Sequence, residues 1–454
     1  MNLFRYFLSQ KSGILYIMKH LYLPFVFVPF GAFAMEDCAT MRHVPNNEMT
    51  LVEVVDMGLC RNPNTAAAYA ALQSARFTKN AAHSYYLPTV SGGLGANRSH
   101  TEHDDWNYNA SLSASYLIFD FGKRESDFAQ TLATYRAAGF DYDETIQNFI
   151  YSIVGAYYEL LNMDAGVASA KSALTVAQTA KETADKKYKS GVVARADVYK
   201  ADTTLASSQL ALERAKNNRE IAKGNLLNVL SFSANEEIKI KDMPASFGSD
   251  AESKNIDNLI SIAKKQRPDL LKAKSQTNAA WHRRNSAFLK NLPSISVNAS
   301  AQTTDKTADG MFKDMTLKTH GSIGFSASMP IFTGFLNFYN ARSANADYEN
   351  TKYNEENISN NAMMDVFSAY QNYKTAQTVL KQTEILLKSA TENERVTSGM
   401  YKVGRATMLD WQTAQSELAD ARNQHNSAKY DLFIKRAAVA LAIGDIKTGL
   451  KENK

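Results

Sequence analysis

Two aspartates are notable in this sequence because they occupy matching places after two glycines. Asp197 lies six residues after Gly191, and Asp410 lies six residues after Gly404. Each aspartate opens a segment with helical patterning, and acidic side chains near a helix N-terminus are favoured by the helix dipole. Capping of a helix is therefore the first role that we consider for both carboxylates.

Histidines that could bind a metal are mostly scattered along the chain. Only His100 and His103 come close together, with Glu102 and Asp104 beside them in the segment SHTEHDDW. These side chains have the chemistry of metal ligands, but a solvated loop explains the segment better, and we expect no metal and no cofactor. The sequence also lacks a nucleophile elbow, a phosphate-binding loop and a Cys-x-x-Cys motif, which argues against an enzyme.

Cys38 and Cys60 are the two cysteines of the chain. They follow a segment with the features of a secretion signal, and exported proteins reach an oxidising compartment. We expect a disulfide between them, the alternative being two free or buried thiols. Attachment of a lipid to Cys38 is not expected, because the preceding residues 35–37 do not form a lipidation motif.

The N-terminus itself is typical of a secretion signal. Basic residues precede the apolar run 21–34, in which Ala32 and Ala34 supply the small side chains that a signal peptidase requires. A transmembrane helix is the alternative, but the run has about 14 residues and about 20 are needed to span a bilayer. We predict a signal peptide that ends at Ala34, and either Met1 or Met18 starts the chain.

The composition argues against a nucleic-acid partner and favours long helices. The formal net charge is +5, and neither a basic cluster nor an aromatic-rich basic patch is present, so we expect no nucleic acid partner. Long stretches rich in Ala, Lys, Glu, Gln and Asn contain almost no proline, which is typical of long helices.

An internal repeat of roughly 200 residues organises the chain. At one offset Pro63 aligns with Pro268 and the segment LPTVS with LPSIS, and at a slightly larger offset Asp197 aligns with Asp410. The offset changes once, between the two strands of the predicted strand pair. We therefore divide the chain into a signal peptide at 1–34, a first repeat at 35–231, a linker at 232–253, a second repeat at 254–446 and a C-terminal tail at 447–454.

Each repeat has the same predicted order of two helices, a pair of strands, a very long helix, a glycine-containing turn and a returning helix. In the first repeat Thr50 with Glu53 forms a capping box, and Asn62-Pro63 begins the second helix. Strands are expected at about 88–98, 109–120, 293–302 and 320–332. Their polar and apolar residues alternate, as in barrel strands with a lipid face and a wet face, although a sheet on a soluble core would look the same.

Two proline-free stretches, 122–189 and 334–402, predict helical rods of about 65 residues, each about 100 Å long. In the returning helices apolar and small residues recur with a seven-residue period, which indicates coiled-coil packing. Small side chains bury little area, so these helices need neighbours on two sides, as in a wall of helices. Because four strands cannot close a barrel, two or more chains must combine, and the pattern does not choose between a dimer and a trimer.

These motifs, in their duplicated order, resemble the TolC family of outer-membrane export ducts. The resemblance covers about 49–446, and no single motif in it is specific, whereas the duplicated order is. The segments concerned are LVEVVDMGLCRNPNTAAAYAAL, YLPTVSGGLG, YLIFDFGKRES, YKSGVVARADVYKA, LPSISVNASA, MPIFTGFLNFYNA and YKVGRATMLDWQTA.

The resemblance implies a mainly α fold with a small β part, in which a homotrimer builds a 12-stranded transmembrane β-barrel and a periplasmic barrel of long coiled-coil helices. It implies a place in the outer membrane, in contact with lipid, with the helices in the periplasm. A periplasmic adaptor and an inner-membrane pump of the ABC or resistance-nodulation-division class are the implied partners, for efflux or type I secretion. The cargo is not indicated. A periplasmic coiled-coil scaffold or adaptor without a pore is the alternative, but it would not explain four strands at matched positions.

The resemblance also implies roles for individual residues near the turns. Asp197 and Asp410 match carboxylates of a pore constriction, and Tyr401 matches a tyrosine that helps to hold the gate closed. Arg405 lies one position before a basic gate residue, and Thr413 replaces an acidic residue of some members, so the gate would be either weaker or differently connected here. The expected adaptor contacts are the residues of the two turns: Gly191, Val192, Val193, Val403 and Gly404.

Overall fold

The structure, a computed structural model, describes residues 44–45, 47–100, 104–242, 255–307 and 318–447. The predicted signal peptide, Cys38, and residues 101–103 with Glu102 and His103 lie outside the described residues. The first part of the chain contains β1 (Glu48–Met49), α1 (Leu51–Arg61), α2 (Pro63–Ala82), β2 (Thr89–His100), β3 (Asp104–Phe119), α3 (Lys123–Lys189), α4 (Arg195–Val229) and β4 (Lys239–Ile240). The second part contains α5 (Ile256–Gln266), α6 (Pro268–Leu289), β5 (Ser294–Thr307), β6 (Lys318–Ser328), α7 (Leu336–Lys402) and α8 (Met408–Ala442).

Four strands form one antiparallel sheet in the order β2-β3-β5-β6. β2 pairs with β3, β5 pairs with β6, and the β3–β5 pair joins the two repeats. β3 begins at Asp104 and β5 continues to Thr307, beyond the ends expected from the sequence, whereas β6 ends at Ser328 and not at 332. β6 stops early because Pro330 has no N–H group to donate to a ladder.

The two faces of this sheet differ in polarity. On one face hydroxyl groups bond across strands, and the Oγ atoms of Ser91 and Ser113 lie 2.7 Å apart. On the other face the large apolar side chains are uncovered in the single chain, and Leu94 is 90% exposed and Phe325 80% exposed. The alternation predicted from the sequence is therefore present in the folded sheet, with one apolar and one polar surface.

Each repeat contains a long helical hairpin. α3 and α7 have 67 residues each, and each turns back into a helix of 35 residues, α4 or α8. The turns contain Gly191 at φ 73° and Gly404 at φ 81°, a left-handed conformation that glycine adopts without strain. None of the helices within the described ranges combines the length and the apolar character that a bilayer span requires.

The short helices α2 and α6 stack end to end on the returning helices. The Asn62 side-chain amide donates to the carbonyl of Val229 at the end of α4, at 3.2 Å. Arg267 occupies the matching place in the second repeat and donates to the carbonyl of Ala442 at the end of α8, also at 3.2 Å. These donors satisfy carbonyls that a helix C-terminus leaves unpaired. Each returning helix is thereby continued by a short helix, and the two together pack along most of the length of α3 or α7.

The largest apolar cluster among the described residues lies midway along α3, where α1 packs on it. The predicted capping box holds the start of α1, since the Thr50 N–H donates to Oε2 of Glu53 at 2.7 Å. β1 and β4 form a small parallel sheet beside this cluster, and the Tyr157 hydroxyl donates to the carbonyl of Lys241. β4 lies in the segment that we predicted as a linker, so part of that segment packs on the first repeat.

Candidate gate at the tip of the helix hairpins

The two hairpin turns lie side by side, so residues from different repeats come into contact. Small alanine side chains allow the helices to approach, and two aromatic rings fill the space between them. The ring centroids of Tyr401 and Trp411 lie 5.2 Å apart. The buried cluster contains Ala180 and Ala184 of α3, Ala201 of α4, Tyr401 of α7, and Met408 and Trp411 of α8.

Tyr401 is the centre of this contact, with 2% of its surface exposed. The Lys187 ammonium lies 4.4 Å from the centroid of the Tyr401 ring, and the same ammonium donates to the Tyr401 carbonyl. Burial, and secondarily the charge of Asp197, raise the pKa of the Tyr401 hydroxyl. That hydroxyl is buried and has no hydrogen-bond partner among the described residues.

The two equivalent aspartates have different surroundings. Asp410 accepts hydrogen bonds from the N–H and the hydroxyl of Thr407 at 2.8 and 2.7 Å, and its own N–H donates to the Thr407 hydroxyl. These bonds hold the pKa of the exposed Asp410 carboxyl below its usual range. In α4 the residue equivalent to Thr407 is Ala194, which has no side chain to complete a cap, and Asp197 is half-buried near Tyr401.

The remaining predicted site residues form the exposed tip. Val192 is 64% exposed and Val403 is 72% exposed, while Val193 is half-buried. Arg405 is exposed, and its N–H donates to the carbonyl of Met400 at 2.8 Å in the turn. In the part of the chain that the structure describes, the Arg405 side chain makes no ion pair, so within one chain it does not join the hairpins.

The structure adds contacts that the sequence analysis did not predict. Gln412 of α8 donates to the carbonyl of Lys200 at 2.9 Å and to the hydroxyl of Thr204, both in α4. Together with Lys187, it provides polar contacts between the two hairpins at the tip. No local pattern distinguishes Lys187 from the neighbouring lysines 186 and 189, because its partner lies in the other repeat.

Other polar contacts hold each hairpin together internally. In the first hairpin the Lys181 ammonium lies 2.7 Å from Asp202, which joins α3 to α4. In the second, the indole N–H of Trp411 donates to Glu394 at 2.9 Å, which joins α8 to α7. Each hairpin is therefore held together by its own polar contacts, and the contacts of Lys187 and Gln412 at the tip connect one hairpin to the other.

The described residues contain no group of three or more His, Cys, Asp or Glu side chains placed to hold a metal ion. Cys60 in α1 is disulfide-bonded. Its expected partner Cys38 lies outside the described residues, so that pairing stays a prediction.

Comparisons with known proteins extend over both repeats. A family model described as outer membrane efflux protein matches residues 54–231 and 259–445. Protein CyaE of Bordetella pertussis is 21% identical over 407 residues, covering 88% of this chain and 85% of CyaE. Toxin and drug export protein A of Aggregatibacter actinomycetemcomitans is 22% identical over 397 residues, covering 86% and 85%. The solved outer membrane protein VceC of Vibrio cholerae shares the fold, with a TM-score of 0.75 at 20% identity, covering 87% of this chain and 96% of VceC.

Proposed function

The chain belongs to the outer membrane efflux protein family, and from this premise we propose that three copies assemble into one continuous duct. As a member of this family it is an export channel of the outer membrane that extends into the periplasm. In the proposed trimer the sheets close into a 12-stranded barrel within the membrane. The hairpins form the wall of a periplasmic tunnel, with the turns at the end that faces the inner membrane.

The four-stranded sheet is the observation that carries this proposal. Its outer strands, β2 and β6, each have one edge without a partner among the described residues. Open edges and an uncovered apolar face are unstable in water, and open edges do not occur in lipid. Further copies that pair β6 with β2 remove every edge, place the apolar face against lipid and enclose the polar face as a wet lumen. Three copies supply twelve strands, the number that the resemblance to the TolC family implies.

The outer helices of the single chain support the same assembly. α7 carries large apolar side chains that the chain itself does not cover, and a soluble rod with such side chains needs another neighbour. A second copy supplies one if α7 packs against α4 of the next chain, which also exposes Leu210 and Ile221. The exposed apolar side chains of α7 include Tyr353, Met364, Phe367, Val379, Ile385 and Leu386.

We propose a periplasmic adaptor as the partner that meets the tip, and through it an inner-membrane pump. Val192 and Val403 project from the two turns without cover, which suits an apolar contact with another protein. One relative, toxin and drug export protein A, is named for the export of both a toxin and drugs. We therefore propose cargo of either kind, with selection made by the pump.

Native mass spectrometry of the detergent-extracted protein, followed by planar-bilayer recording, tests the proposed duct. We expect trimers that insert and conduct ions, because only a closed barrel satisfies the sheet edges. Monomers alone would contradict the barrel. A trimer that never conducts would favour the alternative of a periplasmic scaffold without a pore.

A further inference from the structure

We propose that Lys187 is the latch that holds the two hairpins of one chain together at the tip. It acts through the ring and the main-chain carbonyl of Tyr401, and not through the tyrosine hydroxyl. This inference rests on the proposed function, because a latch has consequences for transport only if the tip closes a duct. In this proposal the cation of the gate, the Lys187 ammonium, belongs to α3 in the first repeat. The groups that bind it, the Tyr401 ring and carbonyl, belong to α7 in the second repeat.

The contacts of Lys187 with Tyr401 are of two kinds. The ammonium lies 4.4 Å from the ring centroid, within the range of a cation–π interaction. It also donates to the Tyr401 carbonyl, in the last turn of α7, where the helix dipole concentrates negative charge. Tyr401 is almost fully buried and Lys187 is half-buried, so water screens both interactions less than it would at the open surface. One side chain of the first hairpin thus binds the end of the long helix of the second.

The Tyr401 hydroxyl has the opposite effect on the closed contact. It is buried and makes no hydrogen bond to any described residue, and an unpaired buried hydroxyl is destabilising. Asp197 lies near enough to influence its pKa, but no bond joins the two groups. Movement of the hairpins apart would expose this hydroxyl to water. The latch is therefore balanced between an ammonium that favours closure and a hydroxyl that favours opening.

The repeat shows why the latch acts within a chain. Under the offset that aligns Asp197 with Asp410, Lys187 corresponds to Met400 and Tyr401 corresponds to Tyr188. Met400 and Tyr188 are 46% and 43% exposed, so the equivalent contact is not formed inside the chain. If neighbouring copies bring these two residues together, that contact contains no cation. The contact of Lys187 with Tyr401 then makes separation of the hairpins within one chain a charge-dependent step.

Planar-bilayer conductance of single variants tests the latch. Lys187→Met should raise the conductance several-fold, whereas Lys187→Arg should retain closure because it preserves the cation. Lys189→Met is the matched control, since it removes the same charge two residues away from an exposed position, and it should behave as the wild type. Tyr401→Phe should also remain closed, since it removes only the unpaired hydroxyl, whereas Tyr401→Leu should open.

A second measurement reports the tip without transport. Trp411 packs with Tyr401 against alanines of the first hairpin, so its fluorescence, with Trp106 and Trp281 replaced by phenylalanine, reports separation of the hairpins. Lys187→Met should increase quenching of Trp411 by acrylamide, and Lys189→Met should not. Unchanged quenching in Lys187→Met, or a channel opened by Tyr401→Phe but not by Lys187→Met, overturns the latch. Failure of the wild type and of every variant to conduct would instead refute the proposed duct, while the quenching still decides the latch.

Discussion

At the scale of residues, equivalent places in the repeat do not give equivalent chemistry. Asp410 is fixed by Thr407 at the start of α8, whereas α4 begins without a side-chain cap, and, besides burial, the charge of nearby Asp197 raises the pKa of the Tyr401 hydroxyl. Capping and a place at the constriction are compatible for Asp410, because a carboxylate that accepts two hydrogen bonds keeps its charge. We propose that the charged Asp410 carboxylates, at a constriction as the resemblance implies, make the pore selective for cations.

The pH dependence of ion selectivity follows from this cap. The pKa of Asp410 is lower in the folded protein than in the unfolded chain, so the ionised carboxylate stabilises the fold at pH values above the unfolded pKa. This contribution is lost as the pH falls through the folded pKa. We expect cation selectivity of the pore to persist in mild acid. Thr407→Val removes the hydroxyl that donates, so selectivity should then fall at a higher pH than in the wild type or in Thr407→Ser.

Bilayer recordings across a pH series measure the pH at which cation selectivity is lost. Variants that remove the carboxylate charge are the control. Asp410→Asn should weaken cation selectivity and block by divalent ions at every pH, and Asp197→Asn should add to the loss. If both properties survive in the double variant, the carboxylates do not line the constriction and their role is confined to the helix.

The residues of the tip show what the sequence could and could not reveal. Thr407 stands three positions before Asp410, a spacing that indicates a helix cap and was available from the sequence. The contact of Lys187 with Tyr401 was not, because it depends on the side-by-side packing of two hairpins from different repeats. Tyr188 and Tyr401 align in the repeat, yet one is half exposed and the other buried, since burial is set by the neighbouring helix.

At the scale of elements, local sequence predicts the helices and strands themselves, but not the contacts that their ends make with distant elements. The long helices, their glycine turns and the paired strands follow from proline content, helix caps and period-two alternation, all of which are local. The stacking of α2 on α4 and of α6 on α8 is not local, and it depends on Asn62 and Arg267 reaching carbonyls of a distant helix end. The pairing of β4 with β1 was missed for the same reason.

The turns provide a prediction about the adaptor. Val403→Glu and Val192→Glu place a charge on the exposed tip without changing the glycine conformation, so export should be lost while the trimer and its membrane insertion remain. Gly404→Ala is the control, because it adds backbone strain at a positive φ but no charge, and it should retain most export. Export assays with native gels measure both properties. Normal export by the double glutamate variant would show that the adaptor binds elsewhere.

At the scale of the whole molecule, the strand pairing follows the internal repeat of the sequence. Thr89 of β2 lies opposite Ser115 of β3, and Ser294 of β5 lies opposite Ser328 of β6. Thr89 and Ser294 are related by the offset that aligns the two LP segments, and Ser115 and Ser328 by the larger offset that aligns the two aspartates. The two hairpins of strands therefore have the same register, and the symmetry within one chain extends to the pairing of its backbone.

This symmetry predicts how copies join. Within the chain β3 pairs with β5, and Ala114 lies opposite Ala299. The larger offset relates Ala114 to Ala327 of β6, and the smaller offset relates Ala299 to Leu94 of β2. We therefore expect Ala327 of one copy to lie opposite Leu94 of the next copy. Both residues belong to the apolar face, as Ala114 and Ala299 do, so the register also keeps the apolar side chains on one surface of the closed barrel.

Oxidative cross-linking at this pair is the most direct test of the trimeric barrel. In the double variant Leu94→Cys with Ala327→Cys, copper phenanthroline should produce covalent dimers and trimers on non-reducing gels, and no larger species, because the ring closes at three. Val90→Cys with Ala327→Cys is the control, since four residues along a strand place the sulfurs about 13 Å out of register. Ladders that continue beyond three, or cross-links in the control but not at the predicted pair, would contradict the closed trimer.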